Sequence, residues 1–474
     1  MDEPRDDIDT WLEERVTPLL PRPGTFDHIR KRARQRKLRQ AAMAAAGTAL
    51  VVAAAIIVPR LVLSGHVGGT PVAQGSSTTP VHQNSSSPAR PSPSGTPGHE
   101  DGSATPTPRV TSLVPPNFAV SSVTFVSTST GWVIGQAGTP GHCGPPKPFV
   151  CTSLAATGDA GQTWRGASAP VTGAPDGATG VSQVRSLNGL SGWAFGPQLY
   201  ATHDGSQTWQ RVPTHGMRVT GLETVNGVAF AIWARCAGTG PDFAAGCTNF
   251  SLYSSPAGQD QWTPVAGATG LSGPAGAPAS AQLVLTGGPS GRGYLLAPNG
   301  QLISGPLSSP ARWRPVTIAA RTPVPLPCAP GTAESGGHPL AAMLASTGPG
   351  LVLLCPGQGS GDRQAKTLYY SADGGRTWNP AGPAPARGIA MSLSGTPDGP
   401  VLVATSDGID VSTSAPGNGT VGWRTARGAR APGGYSYVGM TTSQQGVAVP
   451  VRLGLDAIWF TYDGGAHWRE SPVH

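Results

Sequence analysis

The sequence predicts an all-β fold, a seven-bladed β-propeller of four-stranded blades over residues 117–474, preceded by one transmembrane helix and a disordered linker. Three observations predict it. A tryptophan recurs at Trp164, Trp209, Trp262, Trp313, Trp378, Trp423 and Trp468, with gaps of 45, 53, 51, 65, 45 and 45 residues. Periods of about 40–50 residues in β-type sequence mark propeller blades, so seven marks mean seven blades. Within each period short apolar runs alternate with Gly-rich turns, which is the pattern of short paired strands. The composition agrees: 67 Gly, 49 Pro and 12% charged residues point to turns, while a hydrophobic share of 38% is too high for wholesale disorder.

The segments before the propeller have characters of their own. Residues 1–40 read as a cytoplasmic tail, acidic at the start, with a short amphipathic stretch at 9–20 that carries Trp11 and Leu12 and is stopped by Pro21, Pro23 and Gly24. Residues 41–63 read as a transmembrane helix. Positions 41–58 hold no charge, and eighteen helical residues span roughly 27 Å, close to a bilayer core. The preceding run of Arg30, Lys31, Arg32, Arg34, Arg36, Lys37 and Arg39 places the N-terminal side in the cytoplasm and the propeller outside it. That run supplies much of the net charge of +7, so the charge sets topology and does not indicate a nucleic-acid partner. A cleaved signal peptide fits less well, because the leader is long and no small-x-small site follows the apolar run. Residues 64–116 are rich in Ser, Thr, Pro and Gly. Such sequence buries too little apolar surface to offset its ordering entropy, and as a flexible chain it spans about 40 Å.

Strands can be placed within the repeat. A first strand at 122–126 is followed by Gly131-Trp132-Val133-Ile134-Gly135, and 184–187 by Gly192-Trp193-Ala194-Phe195-Gly196. Equivalents of the second strand fall at 227–233, 293–296, 350–354, 400–404 and 446–449. A third strand, such as 368–371 or 458–461, leads into each marked Trp, and a fourth follows it. The first unit opens with a complete inner strand and the last Trp is followed by an outer strand, so the ring is expected to close within itself; a closing strand from 110–114 is the alternative.

Four of the seven Trp residues end a signature. Ser371-Ala372-Asp373-Gly374-Gly375-Arg376-Thr377-Trp378 is the cleanest copy, and the run from Thr157 through Asp159 and Gly161 to Trp164 matches fully. The run ending at Trp209 keeps Asp204 but has Ser206 in place of Gly, and the run ending at Trp468 keeps Asp463 but has His467 in place of Thr. These turns resemble the Asp-box, or BNR, repeat S/T-x-D-x-G-x-T-W. With the Gly-Trp-x-x-Gly strand, the pattern is similar to the photosystem II stability/assembly factor propellers, whose members bind partner proteins, and to the sialidases. The resemblance implies a structural role for Asp159, Asp204, Asp373 and Asp463, in the turn between third and fourth strands and away from any chemistry. A short Asp can accept hydrogen bonds from turn N–H groups, Gly allows positive φ, and Trp supplies area for packing between blades.

Catalytic signatures are missing. The sialidase F/Y-R-I-P strand is absent, and Glu223, Glu334 and Glu470 are the only glutamates after residue 116, so a tyrosine–glutamate pair cannot be assembled from sequence. No phosphate-binding, zinc-protease or nucleophile-elbow motif occurs. No catalytic residue, metal ligand or cofactor is therefore assigned. All six cysteines follow the apolar segment, and neighbour spacing pairs Cys143–Cys151, Cys236–Cys247 and Cys328–Cys355, each bridge worth roughly 2.5–3.5 kcal/mol. Arg387, Arg424, Arg427 and Arg430 form the most basic local cluster, a candidate binding patch. The functional expectation is a membrane-anchored, monomeric, extracytoplasmic module that binds a protein or glycan without catalysis, with a sialidase-like glycoside hydrolase as the alternative.

Overall fold

The computed structural model describes residues 113–474 apart from 117, 138–151, 174–178, 238–245, 274–279, 288–290, 319–321, 329–332, 336–337, 349, 398, 418 and 452–454. The cytoplasmic tail, the transmembrane helix, all but the end of the linker, and the Cys143–Cys151 pair lie outside the described residues. No helix among the described residues is long and apolar enough to cross a membrane.

Seven four-stranded antiparallel sheets follow one another along the chain at 119–167, 183–211, 218–264, 282–315, 343–384, 390–425 and 435–472. In every sheet the spatial order of strands is the chain order, so each blade is a meander of contiguous sequence. The first strands (Ala119–Phe125, Gln183–Ser186, Arg218–Val225, Gln282–Leu285, Met343–Ser346, Ala390–Gly395 and Tyr435–Met440) lie beside one another around the axis. Side chains tie several of them together. Ser121 Oγ donates to the Ser182 carbonyl at 2.8 Å, Thr224 Oγ1 to the Ser186 carbonyl at 3.2 Å, and Gln282 uses both ends of its amide on the Ala342 carbonyl and the Leu344 N–H.

The strand boundaries fall within a few residues of those read from sequence, with one exception. In the fifth blade, second and third strands extend as a hairpin, Leu351–Ser360 and Arg363–Ser371, well beyond the expected 350–354 and 368–371. A register shift between Pro356 and Gly359 lets the pairing resume beyond the proline. Glu334, expected in a loop, stands in an additional small hairpin, Ala333–Ser335 with His338–Leu340, inserted before the fifth blade.

Burial explains why the second strands read as near-continuous apolar runs: both faces of a blade pack on neighbours. In the fourth blade Leu295 joins a core with the third blade, while Tyr294 and Leu296 join a core with the fifth. The whole ring is built from seven such interblade cores, and each receives one of the recurring Trp residues from the following blade. Trp209 packs on the first blade, Trp262 on the second, Trp313 on the third, Trp378 on the fourth, Trp423 on the fifth and Trp468 on the sixth. Trp164 of the first blade packs on Val447, Ile458 and Phe460 of the seventh and closes the ring. Closure is by side-chain packing, reinforced where Gln445 Nε2 donates to the Thr128 carbonyl at 2.6 Å and Tyr462 Oη to the Ala160 carbonyl at 3.0 Å. Val114 adds to this core outside any strand.

The four signature turns share one hydrogen-bond plan. Asp373 Oδ1 accepts from the N–H groups of Arg376 and Thr377 and from Ser371 Oγ, at 3.0, 2.9 and 2.9 Å, and Oδ2 accepts from Thr377 Oγ1 at 2.8 Å. Asp159 and Asp204 repeat it with Thr163 and Thr208. His467 substitutes for the missing threonine, its Nδ1 lying 2.6 Å from Asp463 Oδ2. Ser206 adopts the positive φ of the glycine it replaces, 69° against 81° and 87° at Gly161 and Gly375. The glycine has a second duty, since a Cβ on Gly161 would lie 2.3 Å from the Phe460 ring of the neighbouring blade.

Trp313 is fully buried and sits in a slot made by Gly293 and Gly305, where a Cβ would strike its ring. Trp313→Ala should destabilise the propeller by about 3–5 kcal/mol, read from denaturant unfolding, with a smaller loss for the partly exposed Trp262→Ala. The signature aspartates titrate low: partial burial pushes each carboxyl up, but the hydrogen bonds of the turn outweigh it. Their stabilisation is complete above the unfolded value near 4 and is lost as pH falls through the lower folded values. Unfolding temperature should therefore drop steeply below about pH 4, and Asp373→Ala should cost about 1–3 kcal/mol at pH 7 and flatten that acid limb.

Candidate binding face

Strand order assigns every loop to one of two faces. Turns from first to second strand share a face with turns from third to fourth, which include the signature turns. Ala160, Gly205 and Gly464 hydrogen-bond the first turn of their own blades, at Ser129, Leu190 and Gln444. Loops on this face are short. The opposite face takes the second-to-third hairpins and the connections between blades, and all the large insertions are there. Cys236–Cys247 staples the base of the 237–246 loop, with a Cα separation of 3.9 Å. Cys328–Cys355 pins the long connection into the fifth blade onto its second strand, with a Cα separation of 5.3 Å. These are two of the three expected pairs. Such connecting segments, positioned by a rigid scaffold, are where binding residues concentrate.

Between the fourth, fifth and sixth blades lies a cavity of about 370 Å³, lined by Gln282, Met343, Leu354, Pro356, Gln364 and Met391 among others. Ala341, at the end of the inserted hairpin, is at its edge. The walls combine adaptable thioethers with two amides. Met391 is 42% exposed, although it lies on a first strand. Gln364 is buried; its Oε1 accepts from the Ala390 N–H at 2.8 Å, while its Nε2 has no acceptor among the described residues.

Two residues along the same strand, Lys366 is also buried, its Nζ donating to the carbonyls of Arg387 and Gly388 at 3.0 and 2.8 Å. Asp410 of the sixth blade faces the same polar nest. Its Oδ1 accepts from Thr425 Oγ1 at 3.3 Å, and its buried Oδ2 has no donor among the described residues. Burial lowers the Lys366 ammonium to about 8, against the pull of Asp410. Burial raises the Asp410 carboxyl, against Arg387 and Lys366.

The expected patch divides on inspection. Arg387 is committed to Asp407, with Nε 2.7 Å from Oδ2, and reaches Thr425 Oγ1 at 3.4 Å. Arg424, Arg427 and Arg430 are exposed on the outer strand of the sixth blade and the connection after it. Arg387 thus roofs the nest, and the other three lie outside it. The eight signature residues belong to the turns and interblade cores, and none of them lines the cavity beside Gln364.

At the axis a different cluster appears that sequence reading did not assemble. Arg185 reaches Glu223 of the third blade at 3.2 Å and Ser122 of the first at 3.5 Å, and its guanidinium lies 5.7 Å from the ring centre of Tyr437 in the seventh. Burial raises the Tyr437 phenol; Arg185 pulls it down and Glu223 pushes it up, and the net is upward. Nothing in sequence spacing joins residues 185, 223 and 437, since only ring closure brings their strands together. Gln364 and Lys366 left a faint mark, polar side chains at period two beside an apolar run, which also describes a solvent-facing edge.

No protein-family model and no curated protein matches the chain. Among solved structures it is similar to YCF48 bound to D1 peptide, at 17% identity over 74% of this chain and 95% of that one, TM-score 0.45. It is also similar to the GH74 enzyme of Niastella koreensis, at 11% identity over 74% and 58%, TM-score 0.40. A third is the Trypanosoma rangeli sialidase in complex with 2,3-difluorosialic acid, at 14% identity over 56% and 50%, TM-score 0.33. The likeness is one of propeller architecture.

The nest makes a pH signature. Between the folded value near 8 and the unfolded value near 10.4, the unfolded state holds more protons on Lys366, so stability rises with pH across that window. Lys366→Met should flatten the rise between pH 8 and 10 in denaturant unfolding. Cys328→Ser with Cys355→Ser should cost about 3.5 kcal/mol in the chain-entropy model, read from the same measurement.

Proposed function

We propose that this chain is a membrane-anchored, extracytoplasmic propeller that binds a protein segment, without catalysis, on the face opposite its signature turns. The observation that carries the reading is the cavity beside Gln364. A buried amide donor without an acceptor among the described residues is costly, and a peptide carbonyl entering the cavity as the side chain turns outward would be its complement. Thioether walls suit side chains of varied shape. Cys328–Cys355 pins the connection into the fifth blade onto the second strand that supplies Leu354 and Pro356 to the cavity.

The hydrolase alternative has one observation in its favour, the meeting of Tyr437, Glu223 and Arg185. Their states oppose it. A tyrosine nucleophile needs a lowered pKa or a free base beside it, but this phenol is raised and Glu223 is engaged by Arg185. The three groups serve better as a plug that joins four blades at the axis.

A photocrosslinking residue at Met391 of the full chain, expressed in its own cells, should trap a polypeptide, and Met391→Asp should abolish capture at a neighbouring cross-linker while leaving the unfolding temperature unchanged. Trapping of glycan alone, or turnover of a sialoside that Glu223→Gln removes, would contradict the proposal. A periplasm-active reporter fused after residue 474 tests the anchor: it should be active, and a cytoplasm-active reporter in the same place should not.

A further inference from the structure

A second charged groove lies on the signature-turn side, between the fourth and fifth blades, and no role above uses it. Its volume is about 500 Å³, and it is lined by Arg292, Arg312, Arg314 and Arg376 together with Tyr294 and Ser304. One wall is a cross-strand row. Tyr294 pairs with Ser304, and Ser304 with Arg314, across the second, third and fourth strands of the fourth blade. Arg292 extends that wall, with Nη2 3.2 Å from Ser304 Oγ. The facing wall is the signature turn of the fifth blade, which presents Arg376.

The concentration of charge follows from how these two repeats depart from the others. The fourth blade lacks the signature aspartate, and where the intact turns have Thr163, Thr208 and Thr377 it has Arg312. At the variable position before that threonine the turns carry Gln162, Gln207, Arg376 and Ala466, so the arginine occurs in the turn that faces the fourth blade. The one carboxylate in the groove, Asp373, is saturated by its own turn, with four hydrogen bonds from Ser371, Arg376 and Thr377. Among the described residues, four arginines and one internally satisfied carboxylate therefore line the groove, with Arg314 Nη1 also donating to the Trp313 carbonyl at 2.7 Å, in a protein with only 12% charged residues. Guanidinium forks with a hydroxyl beside them match tetrahedral oxyanions, which accept two parallel N–H bonds from each fork.

We propose that this groove binds phosphate-bearing ligands, either free phosphate chains or the phosphodiester headgroup of a lipid. The site is independent of the protein-binding face, since the two lie on opposite sides of the ring. A clean variant is available within the repeat itself. Gln207 Nε2 makes the same bond to the Asp204 carbonyl, at 3.0 Å, that Arg376 Nη1 makes to the Asp373 carbonyl, at 3.1 Å. Arg376→Gln thus removes charge while keeping the turn, and Arg312→Thr restores the residue that intact turns have.

The test is titration of the full chain, in mild neutral detergent, with inorganic tripolyphosphate. Wild type should bind with an affinity that falls as salt is raised. The double variant Arg312→Thr, Arg376→Gln should bind at least about tenfold more weakly, as expected for loss of two charge-assisted contacts, with an unchanged unfolding temperature. Arg424→Ala with Arg427→Ala should leave binding intact. Displacement of tripolyphosphate by water-soluble dihexanoyl phosphatidylglycerol, and not by dihexanoyl phosphatidylcholine, assigns the lipid headgroup; displacement by neither assigns free phosphate chains. Failure of the wild type to bind tripolyphosphate, or equal binding by the double variant, overturns the proposal.

Discussion

One indole at each interface is the constraint on which this ring depends. A four-stranded meander has two apolar faces and cannot bury either alone, so every blade is stable only between neighbours. The recurring Trp stands just after the tight turn from third to fourth strand and reaches back onto the preceding blade, where its ring joins a core made mostly of Val, Leu, Ile and Ala with a few further aromatic side chains such as Phe230 and Tyr435. Because the same contact recurs seven times, including from the first blade to the seventh, the ring needs no shared strand to close. The signature turns serve this contact. Their aspartates fix the loop, and their glycines admit the neighbouring blade: Phe460 against Gly161, Leu302 against Gly375 and Leu402 against Gly465.

This economy frees the other face. Loops on the signature side are held short by their hydrogen bonding, whereas the second-to-third hairpins and interblade connections carry no such duty and can lengthen. The insertions at 237–246 and 317–342 and the long hairpin of the fifth blade all use that freedom, and two disulfides limit its entropic cost. The buried polar groups concentrate beside them. Gln364 Nε2 and Asp410 Oδ2 lack a partner among the described residues, while Lys366 between them donates to two carbonyls.

The fold was readable because it is periodic. Seven Trp residues and four signature turns put the blades in register, and second strands such as Gly131–Gln136 and Gly446–Pro450 announced themselves by apolar runs with glycine at the edge. The readings that missed were local exceptions. The second strand of the fifth blade was expected to end at 354, yet the hairpin continues past Pro356 through a register shift. His467 looked like a lost threonine, yet an imidazole reaches the same carboxylate oxygen. The sites were hardly readable, for a reason of geometry. Arg185, Glu223 and Tyr437 come from three blades, and the two walls of the arginine groove from two, so neighbours in space are remote in sequence. The basic cluster that sequence did show, residues 387 to 430, separated in the structure into one ion-paired arginine and three exposed ones.

Hydrogen exchange of the native full chain, followed by mass spectrometry, tests the closed ring most directly. If the recurring indole contacts hold it, with Trp164 closing it, amides in the second strands of the first and seventh blades, at Val133, Ile134 and Val447–Val449, exchange as slowly as those at Phe230–Trp233 in the third. Exchange at the first and seventh blades that is orders of magnitude faster than in the third would show a ring that opens between them, and would contradict closure by Trp164.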